Sequence, residues 1–240
     1  MPKMRVGISG LLGKKWFQKA FTLAEVLITL TIIGVVSAIT IPTLVNRNEA
    51  SQLKAAFLNA NAIVKSIAGS INSLGYNIDD LDAKEVSKYF KSSDFKNNAV
   101  NPYYNFHGTM KASGAAANPL ISEFKLANGM TVLVFKTQPQ YGGSSGQRKY
   151  KNVLAIDLNG KDKKPNRYGH DVYFWFYSDI SEQMEVMGSV NSKTEFGFYQ
   201  TICQVEKVNS AQAENGIGCG AKALVDQKWF EKLKNQKYTK

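Results

Sequence analysis

The two residue types that most often build metal and nucleophilic sites are scarce in this chain. Its 240 residues include only two cysteines, Cys203 and Cys219, and two histidines, His107 and His170. The histidines stand apart from each other and from the cysteines, so no cluster has the spacing of a zinc site. No histidine lies near a plausible nucleophile in sequence. We therefore predict that the protein is not an enzyme and that it needs no catalytic cofactor.

Charge is missing from one long stretch. Phe21 to Val45 contains 25 residues and one ionisable side chain, Glu25. As an α-helix this stretch would be roughly 37 Å long, enough to cross a ~30 Å hydrocarbon core. A lone carboxylate there is costly unless it finds a partner, which makes Glu25 a candidate functional residue. The leader, residues 1–20, carries five basic residues and no acid. That asymmetry places the leader in the cytoplasm and the C-terminal bulk outside.

The junction of leader and apolar stretch reads Lys-Ala-Phe-Thr-Leu-Ala-Glu over residues 19–25. It resembles the processing site of type IV pilins and type II secretion pseudopilins. The resemblance implies that a prepilin peptidase cuts between Ala20 and Phe21 and methylates the new amine, although Ala20 stands where the family usually has glycine. It also implies that Glu25 takes part in assembly, and that Pro42 corresponds to a common helix kink.

The resemblance further implies a structural subunit that polymerises through its N-terminal helix into a type IV pilus-like filament or a secretion pseudopilus. Its partners would be other copies, other pilin-like subunits, the prepilin peptidase and an inner-membrane assembly platform. Before assembly it would span the inner membrane once with a cytoplasmic N-terminus. Afterwards it would lie in a periplasmic pseudopilus or a surface pilus.

The remaining pattern predicts an α+β fold, with a long N-terminal, partly transmembrane helix packed on a small antiparallel sheet. Apolar residues recur at spacings of three and four after Pro42, as in an amphipathic helix, and Gly75 is a plausible stop. Asn128-Gly129 predicts a hairpin turn between strands, and two further runs read as strands, giving a sheet of three or four. The expected divisions are a leader at 1–20, helix halves at 21–45 and 46–74, and a head at 75–240.

The composition of other stretches of the head also predicts their local structure. We expect a short helix at 81–90, a surface loop at 97–119 and a flexible connection at 138–148. The stretch 195–208 is compatible with either strand or helix. Trp229, Phe230 and Leu233 are expected to pack a terminal helix or turn onto the head.

The two cysteines both lie in the part placed outside the membrane. An even pair in an oxidising compartment favours a disulfide over two free thiols. We therefore predict a bond between Cys203 and Cys219.

One loop holds several oxygen ligands, contributed by Asp157, Asn159, Asp162 and Asp171. Such ligands suit Ca²⁺, and some pseudopilins hold calcium in a loop of their sheet. The stretch does not follow the EF-hand pattern, and turn formation explains most of its composition. A structural calcium site and a purely turn-forming role are both open.

A second function remains open beside the structural one. The aromatic run at residues 173–177 and the neighbouring basic residues Lys161, Lys163, Lys164 and Arg167 could let a minor pilin bind DNA or a surface ligand. Aromatics also form ordinary buried strands, and lysines ordinary solvated loops. We predict core packing for the run and solvent for the basic residues.

Overall fold

The computed structural model describes residues 21–97, 99, 101–108, 121–137, 151–196, 202–206 and 213–235. The chain forms two compact units, residues 1–44 and residues 45–240. Within the first unit, the described residues contain the beginning of helix α1 (Leu23–Ser73), which includes Pro42. The second unit contains the remainder of α1 and every other element.

In the second unit, α1 buries one stripe of its surface. The buried side chains recur at helical spacing, as the sequence predicts for an amphipathic helix: Ala50, Phe57, Ala60, Val64, Ala68 and Ile71. Leu74, which the same pattern assigned to this face, is exposed because the helix has already ended.

The end of α1 follows from the predicted stop at Gly75. Gly75 has a φ of 81°, which favours glycine because side chains with a Cβ are strained there. Its N–H donates to the Asn72 carbonyl over 2.9 Å, and the Tyr76 N–H donates to the Ile71 carbonyl over 3.3 Å. This pair of bonds is a Schellman motif, which satisfies carbonyls that the helix end leaves without partners.

Within the described ranges, four short α-helices and six strands follow α1. The other helices are α2 (Ala83–Tyr89), α3 (Val190–Phe196), α4 (Gly220–Val225) and α5 (Trp229–Asn235). The strands are β1 (Ser93–Lys96), β2 (Ile121–Lys125), β3 (Thr131–Thr137), β4 (Lys151–Asp157), β5 (Val172–Ser178) and β6 (Gln183–Val186).

The six strands form one antiparallel sheet in chain order, β1 to β6. The predicted hairpin joins β2 to β3, with Phe124 opposite Val132. Gly129 has a φ of 88° in its turn, and the Met130 N–H donates to Asn128 Oδ1 over 3.2 Å. The predicted α+β fold, a long helix with an antiparallel sheet, is confirmed.

The central strands β4 and β5 are buried on both faces of the sheet. Along β5, Tyr173, Trp175 and Tyr177 share a core with α1, whereas Phe174 and Phe176 belong to a second core on the other face. Phe57 of α1 lies 4.7 Å from Tyr173 between ring centroids. The expectation that this aromatic run packs in the core is confirmed.

The C-terminal helix closes the first of these cores, as expected. Trp229, Phe230 and Leu233 are all buried in it. The Trp229 indole N–H donates to the Tyr173 hydroxyl over 2.9 Å, so a polar contact fixes the helix against β5.

Several expectations need correction. The sheet has six strands because β1 and β6, each four residues long, pair at its edges. The predicted surface loop is wrong for 101–108: Tyr103, Asn105 and Phe106 are fully buried. The Phe106 N–H donates to the Asn215 carbonyl, and the Tyr168 N–H donates to the Tyr104 carbonyl, so main-chain hydrogen bonds fix this segment against the rest of the second unit. Residues 109–119 and 138–148 lie outside the described residues. The stretch 195–208 begins with the end of α3, and residues 202–206 form neither strand nor helix.

A buried lysine ties three parts of the second unit together. Lys151, at the start of β4, is 4 % exposed. Its ammonium lies 2.9 Å from Glu195 Oε2 on α3, 3.0 Å from Asp179 Oδ1 after β5 and 3.7 Å from Asp79 Oδ2 ahead of α2. It also donates to the Tyr177 carbonyl over 2.7 Å. Because buried charges need partners, this cluster fixes how α3 and the start of the head meet the sheet.

Candidate functional site

Phe21 and Glu25 lie at the start of α1, in the first unit. Phe21 is 84 % exposed, and the helix begins two residues later. The Glu25 N–H donates to Thr22 Oγ1 over 3.2 Å, and Glu25 Oε2 accepts from the Thr22 N–H and hydroxyl over 2.8 Å each. This reciprocal pattern is a capping box. Ala20, the other half of the predicted cleavage site, lies outside the described residues.

The capping box gives Glu25 a second role, which was not among the predictions from the sequence. Its signal was present, since Thr-x-x-Glu directly precedes an apolar run. Glu25 therefore stabilises the end of its own helix, apart from any contact with another subunit. Glutamine serves at the same capping position, so Glu25→Gln keeps this role and removes the charge.

The part of α1 in the first unit is apolar around its whole circumference. Large side chains including Leu27, Ile33, Val36 and Ile41 are more than half exposed. By length and composition this helix could cross a membrane, and none of its most apolar window is buried. A helix that is apolar all round is stable only when lipid or other protein covers it. Pro42 lies within it, and a kink at that residue stays a prediction.

The structure joins Cys203 and Cys219 in a disulfide, with Cα atoms 4.9 Å apart. Cys219 is fully buried and ends a short 3-10 turn, Ile217–Cys219. A Cβ on Gly169, which has a φ of 78°, would come within 2.9 Å of the Cys219 sulfur. The glycine therefore lets the loop before β5 pack directly on the disulfide.

The predicted calcium loop brings three of its four residues together. Asp157 and Asp171 are fully buried, and their backbones flank the β4–β5 pairing. Asp157 Oδ1 accepts from the N–H groups of Asn159 and Gly160 over 3.2 and 3.0 Å. Asp162, in contrast, is exposed at the loop surface. The structure thus separates Asp162 from the other three residues.

Main-chain donors occupy much of this cluster. Asp171 accepts from the Arg167 N–H with Oδ1 and from the Asn166 N–H with Oδ2, over 2.8 Å each. These bonds and those to Asp157 are the turn-forming contacts expected of such residues. Each carboxylate therefore shapes the loop, whether or not it also binds an ion.

Some buried oxygens of the cluster still have no hydrogen-bond partner. They are Asn159 Oδ1 and Asn166 Oδ1, whereas the hydroxyl of Tyr103 donates to the carboxylate of Asp157. Carboxylate and amide oxygens are ligands that Ca²⁺ accepts, so Asp157, Asn159 and Asn166 fit such an ion in type. Within the described ranges, no group of three or more His, Cys, Asp or Glu residues is placed to hold a metal. Calcium binding stays a prediction.

Burial perturbs both carboxyl groups of the cluster. Loss of water raises the pKa of Asp157 to about 7, and the neighbouring charge of Asp171 adds to this effect. Burial likewise raises the pKa of Asp171 to about 6, against the main-chain donors that lower it. Without a cation, ionising both groups near neutral pH is therefore costly to the fold.

The features that suggested DNA binding are separated in the structure. The aromatic run is buried, so it offers no platform on which bases could stack. Lys161 pairs with Glu123 over 2.5 Å, and Lys163 and Lys164 are exposed. Binding of DNA or a surface ligand therefore stays a prediction.

A possible catalytic motif lies outside the described residues. Residues 142–146 have the Gly-x-Ser-x-Gly spacing of hydrolase nucleophiles, so the expected absence of catalysis also stays a prediction.

Comparison with known proteins agrees with the N-terminal motif. Residues 17–41 match the family model described as the prokaryotic N-terminal methylation motif. The matched stretch contains Ala20, Phe21 and Glu25 and ends one residue before Pro42. No curated protein and no solved structure matches the chain.

Proposed function

Because residues 17–41 carry the methylation motif characteristic of type IV pilins and pseudopilins, we propose that this protein is a filament subunit of that kind. A prepilin peptidase removes residues 1–20 and methylates the amine of Phe21. The processed subunit then polymerises through α1 into a type IV pilus-like filament or a secretion pseudopilus. Its partners are other copies, other pilin-like subunits and the inner-membrane assembly platform.

One observation carries the proposal: the motif leads directly into a helix whose apolar side chains are unburied. From Leu23 to Val45 the large apolar residues are exposed. Water is a poor environment for so much apolar surface. Lipid covers it in the membrane-anchored precursor, and the helices of neighbouring subunits cover it in the filament. Assembly therefore moves the segment from one apolar environment to another.

Glu25 supplies the polar step in this transfer. Cleavage leaves a positive amine on Phe21, and Glu25 of a subunit already in the filament offers it a negative partner. In an apolar environment such a pair offsets the cost of two isolated charges. The capping box holds the Glu25 carboxylate at the N-terminus of its helix, next to the end where an incoming amine arrives.

Filament yield from three variants tests this mechanism. Glu25→Ala removes both the cap and the charge, whereas Glu25→Gln keeps the cap and removes only the charge. We expect both proteins to be made and inserted, and both to be lost from the sheared filament fraction. Glu49→Gln, the same chemical change elsewhere on α1, is the matched control and keeps normal yield. Normal yield from Glu25→Gln would contradict the charge-pairing mechanism.

The precursor in this proposal spans the inner membrane once, with its N-terminus in the cytoplasm. The assembled subunit lies in a periplasmic pseudopilus or on the cell surface. A deletion strain scored together for surface filaments, protein secretion and transformation distinguishes these machines. Loss of only one of the three activities identifies the machine that uses the subunit.

A further inference from the structure

The sequence contains three Asn-Gly pairs, at residues 128–129, 159–160 and 215–216. Such pairs are chemically reactive, because the main-chain nitrogen of a glycine can attack the preceding asparagine side chain without hindrance from a Cβ. The attack requires access of water to the main chain and a side chain that is free to move. All three pairs belong to the described residues of the second unit, so their surroundings can be compared directly.

The pair at 215–216 is held in the interior. Asn215 is fully buried, its Oδ1 accepts from the Gln204 N–H over 2.8 Å, and its Nδ2 donates to the Gln204 carbonyl over 3.0 Å. The Gly216 N–H donates to the Ile202 carbonyl over 3.0 Å. A reaction between Asn215 and Gly216 would have to break all three hydrogen bonds in a segment that water does not reach.

The pair at 159–160 is also protected. Gly160 is buried, and its N–H donates to the Asp157 carboxylate over 3.0 Å. Asn159 Oδ1 is buried, and its Nδ2 donates to the Lys164 carbonyl over 3.4 Å. The turn between β2 and β3 packs closely on this pair, since a Cβ on Gly160 would lie 2.7 Å from the Gly129 carbonyl oxygen. The loop must therefore open before this pair can react.

The pair at 128–129 lies open to solvent in the β2–β3 turn. Both residues are exposed, and a Cβ on Gly129 would meet no atom within 4 Å. The Gly129 N–H donates to the Leu126 carbonyl over 3.0 Å, a hydrogen bond in an exposed turn, where little structure has to open. The Met130 N–H donates to Asn128 Oδ1 over 3.2 Å. This donor therefore already faces the oxygen on which negative charge develops during an attack on the side chain.

From these contrasts we propose that Asn128 is a site of spontaneous deamidation, from which the fold protects Asn159 and Asn215. The Gly129 nitrogen loses its proton and forms a bond to Asn128 Cγ. The bond from Cγ to Nδ2 breaks, ammonia leaves, and a succinimide ring remains. Water then opens the ring at either carbonyl, which gives aspartate or isoaspartate. Water is the only co-reactant, and the inference rests on no step of the proposed function.

Both products change the surroundings of the turn. Asn128 lines a cavity together with Lys163 and Lys164, so deamidation places a new carboxylate beside two lysines. Isoaspartate also adds a methylene group to the main chain, which displaces the Gly129 carbonyl where it packs against Gly160. The isoaspartate form should therefore fit the loop after β4 less well than the aspartate form does.

Peptide mapping by mass spectrometry tests the proposal. The full-length protein is kept in detergent at mildly alkaline pH for several days, and fragmentation that distinguishes isoaspartate locates the product. The peptide with Asn128 should gain about 1 Da. Its initial rate should exceed the rates at Asn159 and Asn215 by about tenfold or more, because those two pairs react only after local opening. Equal initial rates at the three pairs in the folded protein would overturn the proposal.

The same chain in urea, with the disulfide reduced, is the matched control. Unfolding removes the protection of Asn159 and Asn215, so the three rates should come within a few fold of one another. A tenfold lead of Asn128 that persists in urea would assign the difference to neighbouring sequence and would overturn the role of the fold.

Two variants complete the test. Asn128→Gln keeps an amide but needs a larger ring for the same attack, so the mass gain in its peptide should disappear, and an unchanged gain would refute the assignment to Asn128. Asn128→Asp supplies the new charge without the extra methylene group. Its Tm should match that of fresh protein, whereas the isoaspartate fraction should melt lower. Equal Tm values for fresh protein and the isoaspartate fraction would contradict the displacement at Gly160.

Discussion

Replacing Asp157 by asparagine should remove most of the pH dependence of this protein's stability between pH 5 and 8. Asparagine has nearly the same shape, and its carbonyl can still accept from the N–H groups of Asn159 and Gly160, as Asp157 Oδ1 does. The substitution removes the charge that Asp171 and the buried surroundings disfavour. It therefore separates the electrostatic cost of the carboxylate from its role in the turn.

The direction and size of the effect follow from the pKa. Burial raises the pKa of Asp157 from its ordinary 3.8 to about 7, so the folded chain binds this proton more tightly than the unfolded chain. The stabilisation is complete below pH 3.8 and is lost as the pH rises through 7. The full effect corresponds to about 4 kcal/mol, of which roughly 2.6 kcal/mol is lost between pH 5 and 8. In a domain of this size, that part shifts Tm by roughly 5–10 °C.

Thermal melts of the full-length protein in detergent, with the disulfide intact and a chelator present, measure this effect. The unmodified protein should lose Tm between pH 5 and 8, and Asp157→Asn should lose much less. Some dependence will remain, because burial also raises the pKa values of Asp171 and Asp79 to about 6. Burial lowers the pKa of His170 to about 3, so this group contributes stability that increases as the pH rises through 6.5 and partly offsets the loss. Equal loss of Tm in both proteins would refute the assignment of the effect to Asp157.

The same melts decide between a calcium site and a purely turn-forming loop. At pH 8, where both carboxylates of the cluster are largely ionised, a bound cation would restore stability by linkage. Calcium binding predicts that millimolar calcium raises the Tm of the unmodified protein and not that of Asp157→Asn. Overlapping curves with calcium and with chelator would mean that Asp157, Asn159 and Asp171 only form turns.

Two other predictions concern stability. Lys151→Met should destabilise the protein by about 3–5 kcal/mol in urea unfolding, because Glu195 and Asp79 would stay buried without their cation; an unchanged midpoint would show that these carboxylates need no partner. Reducing the bond between Cys203 and Cys219 should cost about 3 kcal/mol, and alkylation of both thiols in unreduced envelope protein would contradict the disulfide.

The parts of the fold with strong local patterns could be predicted from the sequence. Helix α1 has apolar spacings of three and four and a glycine at its end, and the β2–β3 hairpin has Asn128-Gly129 in its turn. The aromatic run of β5 favours strand, and burial on both faces explains why it is aromatic at every position. In each case neighbouring residues in sequence carry the signal.

The parts that depend on distant residues could not be predicted in this way. Strands β1 and β6 are four residues long and partly polar, and they become strands only because sheet edges are available to them. Residues 101–108 have the composition of a loop, yet pairing with Asn166 and Asn215 buries them. Lys151 finds its three carboxylates at Asp79, Asp179 and Glu195, which no spacing in sequence connects.

The candidate site divides along the same line. The processing motif and Glu25 could be predicted because both are marked by neighbouring residues in sequence. The capping box is marked in the same way, by Thr22 and Glu25, but was not predicted. Of the predicted calcium ligands, Asp157 and Asp171 meet because β4 and β5 pair, whereas Asp162 is turned toward solvent. Asn166, whose Oδ1 also lies buried in the cluster, was not among the predicted ligands.

Mass spectrometry of the N-terminal peptide, taken from filaments sheared from cells, decides whether the protein is processed and assembled as a pilin. We expect a peptide that begins at Phe21 and carries one methyl group on its amine, because the peptidase acts before assembly. The same peptide should be missing from a strain without the prepilin peptidase. Protein that begins at any other residue, or that never enters the filament fraction while fully processed, would contradict the assignment as a filament subunit.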